Sequence, residues 1–275
     1  GDALYVQLFR NTEHWQTSLF YRNISPQYRA DVGFVVKNNR RWGTLFHQYQ
    51  NIINKPGLQS FGFGTKIDVV YTFEDLYKNF SIDFFAFLKT FGQTELRYTA
   101  DYDAVKTFLN IRYTNLPTHE FSISGSPSES INFRLNLVAG KDLSVNEMTP
   151  EVGVLRSAFL TFGIQVNDNI NINPSWRYSR LSRINDNSDY FNGSIARLSV
   201  RYQFNQAFNI RIITEKNSFN DQFFVQPLIQ WNPNPATIFY FGGNQNTSEN
   251  LEDAHFQILQ FNRSQLFVKF QYLID

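Results

Sequence analysis

Two sets of charged side chains in this sequence are placed to do chemistry. Lys66, Asp68, Asp83, Lys89, Glu95, Arg97 and Asp101 mix both signs, whereas Arg134, Arg156, Arg177, Arg197, Arg201 and Arg211 are arginine alone. A guanidinium is a planar donor fork that matches carboxylate, phosphate or sulfate oxygens. The second set is therefore expected to form a basic wall that favours anionic solutes or anionic glycan fragments. The alternative is that the arginines close salt bridges or anchor an inward-folded loop, because a water-filled interior has to be polar in any case.

The elements that carry these residues are extended. In steps of two, Ser194, Ala196, Leu198, Val200, Tyr202 and Phe204 share one face, while Ile195, Arg197, Ser199, Arg201 and Gln203 share the other. The same alternation returns in Ile67, Val69, Tyr71, Phe73; Ile82, Phe84, Ala86, Leu88; Leu96, Tyr98, Ala100, Tyr102; Ile131, Phe133, Leu135, Leu137; and Ala158, Leu160, Phe162, Ile164. Helical spacing fits none of these runs as well. Aromatic content of 17%, with 29 Phe and 14 Tyr, sits beside a mean hydropathy of -0.36. Strands that meet lipid on one side and water on the other reconcile the two. The expected fold is an all-β, antiparallel, up-and-down transmembrane β-barrel with about 15 strands in this chain, one domain over residues 1–275, placed in a bacterial outer membrane.

Composition excludes other classes. No apolar run approaches the roughly 18 residues of a membrane-spanning helix. A net charge of +1 with interspersed signs gives no basic stripe for nucleic acid. Zero cysteines remove disulfides, thiolate metal sites and a cysteine nucleophile. The start, Gly1-Asp2-Ala3-Leu4, has no charged region followed by an apolar core, so export is inferred from the strands.

Connections alternate in length. Short turns are expected at Asn11 to Glu13, Asn54 to Gly57, Phe91 to Gln93, Gly125 to Ser128, Asn167 to Asn169, Asn205 to Ala207 and Asn232 to Pro235, on the periplasmic side. Longer loops are expected outside, at Ile24 to Asn39, Asp142 to Glu151, Ser182 to Asp189 and Asn246 to Asn262, with shorter ones near Glu74 to Lys78, Asp103 to Val105 and Lys216 to Asp221. Trp and Tyr then sort into two belts: Trp15, Tyr202, Trp231 and Tyr272 at the periplasmic ends, and Tyr21, Trp42, Tyr71, Tyr102, Trp176 and Tyr178 at the outer ends. A first segment at Leu4 to Arg10 that runs down from outside calls for an upstream strand, so a complete barrel of about 16 strands is expected, with this chain as its C-terminal part. The competing fold is a soluble β-sandwich or jelly roll. Its shorter strands would not sort Trp and Tyr by height.

Short motifs carry a family resemblance. They are Gly1-Asp2-Ala3, Trp15 heading a strand, Ile24-Ser25-Pro26, Gly33-Phe34-Val35 and Asn39-Arg40-Arg41 at the start. At the end they are Trp231-Asn232-Pro233-Asn234-Pro235, Ile238-Phe239-Tyr240-Phe241 and Phe267-Val268-Lys269-Phe270-Gln271-Tyr272-Leu273. Over most of its length the chain resembles the C-terminal barrel of the Bacteroidota outer-membrane family known as domain of unknown function 5916. The resemblance implies an upstream β-sandwich similar to carbohydrate-binding modules of family nine, and with it a glycan-related or envelope role. None of that sandwich's sugar-contacting residues has a counterpart in this sequence.

Other chemistry finds less support. His14, His47, His119 and His255 map to different heights, so no Ser-His or Asp-His hydrolase group is expected and the chain is expected not to be an enzyme. Asn185-Asp186-Asn187-Ser188-Asp189 and Glu249-Asn250-Leu251-Glu252-Asp253 could offer oxygens to calcium, but the first lacks the Gly and distal Glu of an EF-hand loop and both read as solvated loops. No phosphate loop, dinucleotide fingerprint or zinc spacing is present, so no cofactor and no metal are expected. Val32, Phe34 and Val36 form an apolar dyad inside an outer loop, either a plug, a capping hairpin or a strand extended above the membrane. The expected function is a passive or gated conduit for small polar or anionic envelope or glycan-derived solutes, in contact with outer-membrane lipid. The alternative is a non-catalytic anchor or scaffold that meets envelope partners through its outer loops.

Overall fold

A computed structural model of the chain describes residues 1–29, 38–74, 77–145, 147–234, 236–249 and 259–272. The Val32, Phe34 and Val36 dyad, His255, residues 250–253 and Leu273 lie outside them. Over the described residues the chain is all β, with 15 strands in one sheet, each antiparallel to its sequence neighbours in an up-and-down order. They are β1 (Ala3–Asn11), β2 (Trp15–Ile24), β3 (Arg40–Lys55), β4 (Leu58–Tyr71), β5 (Tyr77–Thr90), β6 (Glu95–Phe108), β7 (Ile111–Ser128) and β8 (Ile131–Leu143). There follow β9 (Val152–Gln165), β10 (Ile170–Arg183), β11 (Asp189–Gln203), β12 (Phe208–Asn217), β13 (Gln222–Asn234), β14 (Thr237–Glu249) and β15 (Leu259–Tyr272).

Register makes the alternation continuous from strand to strand, because directly opposite residues share a face. Ile172 of β10 faces Val200 of β11, which faces Ile212 of β12. On the other phase Asn171 faces Arg201, which faces Arg211. β4 to β6 do the same, with Ile67 opposite Ile82 and Ile82 opposite Tyr102, while Lys66 is opposite Asp83 and Asp83 opposite Asp101. The apolar phase stays exposed: Leu8 62%, Phe84 58%, Leu198 40%, Phe241 52% and Leu266 79%.

Three connections differ from the sequence expectation. Asp103 to Val105 is no loop. Ser81 pairs with Asp103 and Phe80 with Val105, so Ala104 is an extra residue in a β-bulge and β6 continues to Phe108. The reversal comes at Leu109 and Asn110, both left-handed with φ of 50° and 62°. Gly125 to Ser128 has the composition of a turn yet stays in β7, and the chain turns over residues 129–130, where Ser130 accepts a backbone hydrogen bond from Gln165. β14 runs on to Glu249 and β15 resumes at Leu259, so the strands reach well into the loop expected over Asn246 to Asn262.

Contacts group the residues into two compact units. The first comprises Gly1–Ile123, Leu137–Leu155 and Arg183–Asn185. Its small buried cluster is Tyr113, Leu116 and Leu143, flanked by Phe108 and Val152. Tyr113 Oη donates to the carbonyl of Pro150 at 2.7 Å, and Ser144 and Glu151 exchange hydrogen bonds, so the loop over residues 144–151 is tied down at both ends. The second unit comprises Ser124–Asn136, Arg156–Ser182 and Asp186–Asp275. Leu181 (1% exposed) and Ile213 (5%) are its most buried apolar side chains among the described residues.

Candidate functional site

The polar phase of the first unit is a paired network. Lys66 Nζ forms an ion pair with Asp68 and lies 3.9 Å from Asp83 Oδ2. The other oxygen of Asp68 accepts from Thr44 Oγ1 and, at 3.0 Å, from Trp42 Nε1. Further along, Glu95 meets Lys89 at 3.4 Å and Arg97 at 3.2 Å, and the Arg97 guanidinium stands over the rings of Phe85 and Phe87 at 5.3 and 5.2 Å. Thus Lys66, Asp68, Asp83, Lys89, Glu95, Arg97 and Asp101 share one face, joined by residues that composition did not single out. Asp103 and Asp142 each lie 3.5 Å from Lys106. Asp103 was hidden inside a segment that looks like a loop. Its signal was phase, since Asp103 lies two residues on from Asp101 and faces Ser81, while the bulge at Ala104 brings Lys106 onto the same face opposite Asn79.

One expected belt residue stands apart. Trp42 shares the face of Arg22, Thr44 and Val70, its cross-strand and same-phase neighbours. It belongs to the polar network and not to the outer belt, because its indole N–H has a carboxylate to bond and Phe20 packs on it edge-on at 5.5 Å. Tyr21, Tyr71 and Tyr102, like Trp15, hold to the apolar phase: Tyr21 faces Gly43, Arg41 faces Tyr71, and Ile82 faces Tyr102. Trp15 stacks on His47 at 4.7 Å and meets Tyr49 and Phe63 edge-on. In the second unit Trp176 and Tyr178 stack at 6.1 Å, Trp231 stacks on Phe239 at 5.3 Å, Tyr202 meets Phe204 edge-on, and Tyr272 stacks on Phe270.

The second unit's polar phase is basic. Arg134 and Arg177 line a cavity of about 420 Å³ with Asn136, Ser157, Phe159 and Ser179, and the Arg177 guanidinium stands 5.3 Å above the Phe159 ring. Arg197 is answered by Glu215 at 3.5 Å, a pairing that follows from direct opposition across β11 and β12. Four residues on, Arg201 faces Arg211, two like charges with no carboxylate partner among the described residues. Arg211 Nε is buried there without a hydrogen-bond partner. Lys269 joins this phase on β15, its ammonium 5.8 Å from the Tyr240 ring.

Arg156 is not part of this wall. Phe159 shares a contact with Arg177, and Phe162 lies 6.4 Å from Phe133 on the opposite phase of β9. Counting back from Phe162 in steps of two puts Arg156 with Ala158 and Leu160 on the apolar face, while the same count from Phe159 puts Ser157 on the polar one.

The described histidines are each engaged locally. His47 Nδ1 is 2.9 Å from Thr17 Oγ1, His119 Nδ1 is 2.7 Å from Tyr98 Oη, and His14 lies 3.8 Å from Glu13. Asp186 Oδ1 is taken up by the backbone N–H and hydroxyl of Ser188. Among the described residues no group of three or more His, Cys, Asp or Glu is placed to hold a metal ion.

No family model and no curated protein matches the chain. Among solved structures it is similar to the crystal structure of a Pseudomonas aeruginosa FadL homologue, with a TM-score of 0.30 and 7% identity over 98% of this chain and 76% of that one. A likeness of that size carries no weight for function.

Proposed function

We propose that the sheet closes into a β-barrel in a bacterial outer membrane and serves as a passive or gated conduit for small polar or anionic solutes. The observation that carries this is the opposition of phases: large apolar side chains exposed on one face of strand after strand, and charged networks on the other. In water that much exposed apolar surface would drive association. Facing lipid, it is buried by the solvent. The polar phase then lines the lumen, where the Arg201 and Arg211 pair presents two donor forks without an acid between them. Opposed like charges cost free energy, and a passing anion relieves that cost. We further place the chain with the domain of unknown function 5916 barrels, as a non-catalytic member, with envelope glycan fragments among its solutes.

Purified protein in planar bilayers under a salt gradient tests this. The expected result is a conductance whose reversal potential favours anions and moves toward cations in the Arg201→Gln, Arg211→Gln double variant. Cation preference indifferent to both substitutions would remove the anionic cargo. A second reading, an anchor for envelope partners, is favoured by Val145 (55% exposed) and Met148 (101%) on the tied-down loop over residues 144–151. Zero conductance from folded protein would select it.

A further inference from the structure

Arg156 and Arg180 are neighbours on the apolar face. The Arg177 guanidinium over the Phe159 ring fixes which parts of β9 and β10 lie side by side. Three residues back from Phe159 is Arg156, and three residues on from Arg177 is Arg180. In an antiparallel pair both steps run the same way, about 10 Å along the strands, and an odd step carries both side chains to the other face. There Arg180 stands beyond Tyr178 and Trp176, whose rings stack at 6.1 Å. Lys216 lies level with them, since Trp176 faces Ala196 and Ala196 faces Lys216.

We propose that Arg156, with Arg180 beside it, docks the phosphate of a phosphorylated glycolipid in the outer leaflet. This rests on the membrane reading above. A cation on a lipid-facing strand is costly at the bilayer centre and tolerated at the interface, so Arg156 belongs at headgroup level, where phosphate is the available counter-charge. Stacked Trp and Tyr at the same rim mark that level. Arg180 is spoken for: its Nε donates to Asp189 at 2.6 Å and its Nη2 to the carbonyl of Asn187 at 3.1 Å. Arg156 is exposed, has no partner among the described residues and keeps its whole fork open. The rim lies at the end of β10 that leads into the loop over residues 184–188, assigned to the outside, which selects outer-leaflet glycolipid over inner-leaflet phospholipid.

The full chain, extracted from membranes in mild detergent and stripped of lipid, is titrated with micelles carrying diphosphorylated lipid A, followed by native mass spectrometry. Wild type should bind, and Arg156→Gln should weaken binding at least fivefold. Arg156→Lys, which keeps the charge and loses the fork, should fall between. Arg10→Gln, an arginine on the apolar phase near the other end of its strand, should bind as wild type, and millimolar inorganic phosphate should not compete. Equal binding by wild type and Arg156→Gln, or equal binding of dephosphorylated lipid A, overturns the proposal while leaving the membrane reading intact. Failure of the wild-type chain to float with vesicles overturns both.

Discussion

The indole N–H of Trp42 donates to Asp68 Oδ1 at 3.0 Å, from the same face as Lys66 and Thr44. This separates it from Trp15, Trp176 and Trp231, which lie on the apolar phase with 40 to 48% of their surface exposed. Single-tryptophan variants in vesicles of brominated lipid should report the difference. Trp15, Trp176 and Trp231 are expected to be quenched strongly, and Trp42 weakly. Trp42→Phe should cost about 1.5–3 kcal/mol, the net worth of one hydrogen bond to a charged group. Equal quenching of all four would undo the assignment of faces.

Strand phase is legible in this sequence because large apolar side chains recur on one face and the paired charges on the other, the pattern expected if the two faces meet different solvents. Lys66, Asp83 and Asp101 could be placed on one wall by counting alone, and the register puts them side by side. Single residues that break the rule were misread, although a step of two back from Ala158 already puts Arg156 on the apolar face. Charge made Arg156 look like a wall residue, although an interface tolerates arginine on the apolar side. Amphipathic shape made Trp42 look like a belt residue, because its bond to Asp68 depends on a cross-strand neighbour 26 positions away. Asp103 and Gly125 suggest turns by composition, and only pairing shows a bulge in one case and continuing strand in the other.

The reversal between β6 and β7 places Leu109, 63% exposed, at a φ of 50° followed by Asn110 at 62°. A two-residue hairpin with both positions left-handed favours Asn-Gly or Asp-Gly, and a branched apolar residue is strained at the first. Leu109→Asn should therefore stabilise the chain by about 0.5–1 kcal/mol. An unfolding midpoint in urea that rises at unchanged slope would show it. A lower midpoint would mean that Leu109 makes a contact worth more than the strain.

Gly64 is held against its neighbours by geometry. A Cβ there would stand 2.5 Å from the His47 carbonyl and 2.6 Å from the Phe85 ring, its cross-strand partner. The ring lies over the space a side chain would take. Gly64→Ala should cost about 1–3 kcal/mol by overpacking. Gly43→Ala, whose Cβ meets only Val69 Cγ1 at 3.3 Å on the apolar face, should be nearly neutral. The comparison is read from urea midpoints in the same detergent, and equal losses at the two positions would refute the close-approach argument.

Asn39 clamps the loop between β4 and β5 from a left-handed backbone, φ 56°. Its amide donates to both oxygens of Glu74 at 2.9 and 3.0 Å, while its carbonyl accepts from the Phe73 N–H at 2.8 Å. Hydrogen bonds from Asn39 first, and then Thr72, favour the charged carboxylate and hold Glu74 below its ordinary value. With the folded value depressed, the clamp contributes above the pH at which a free Glu ionises and fades as acid protonates Glu74 in the fold. Asn39→Gly keeps the backbone conformation and deletes all three side-chain hydrogen bonds. It should move the Glu74 carboxyl titration, followed by carbon NMR, up toward the ordinary glutamate value. Hydrogen exchange at the Phe73 amide should also become faster at neutral pH. An unchanged titration in Asn39→Gly would show that the backbone alone, and not the Asn39 side chain, sets the charge of this loop.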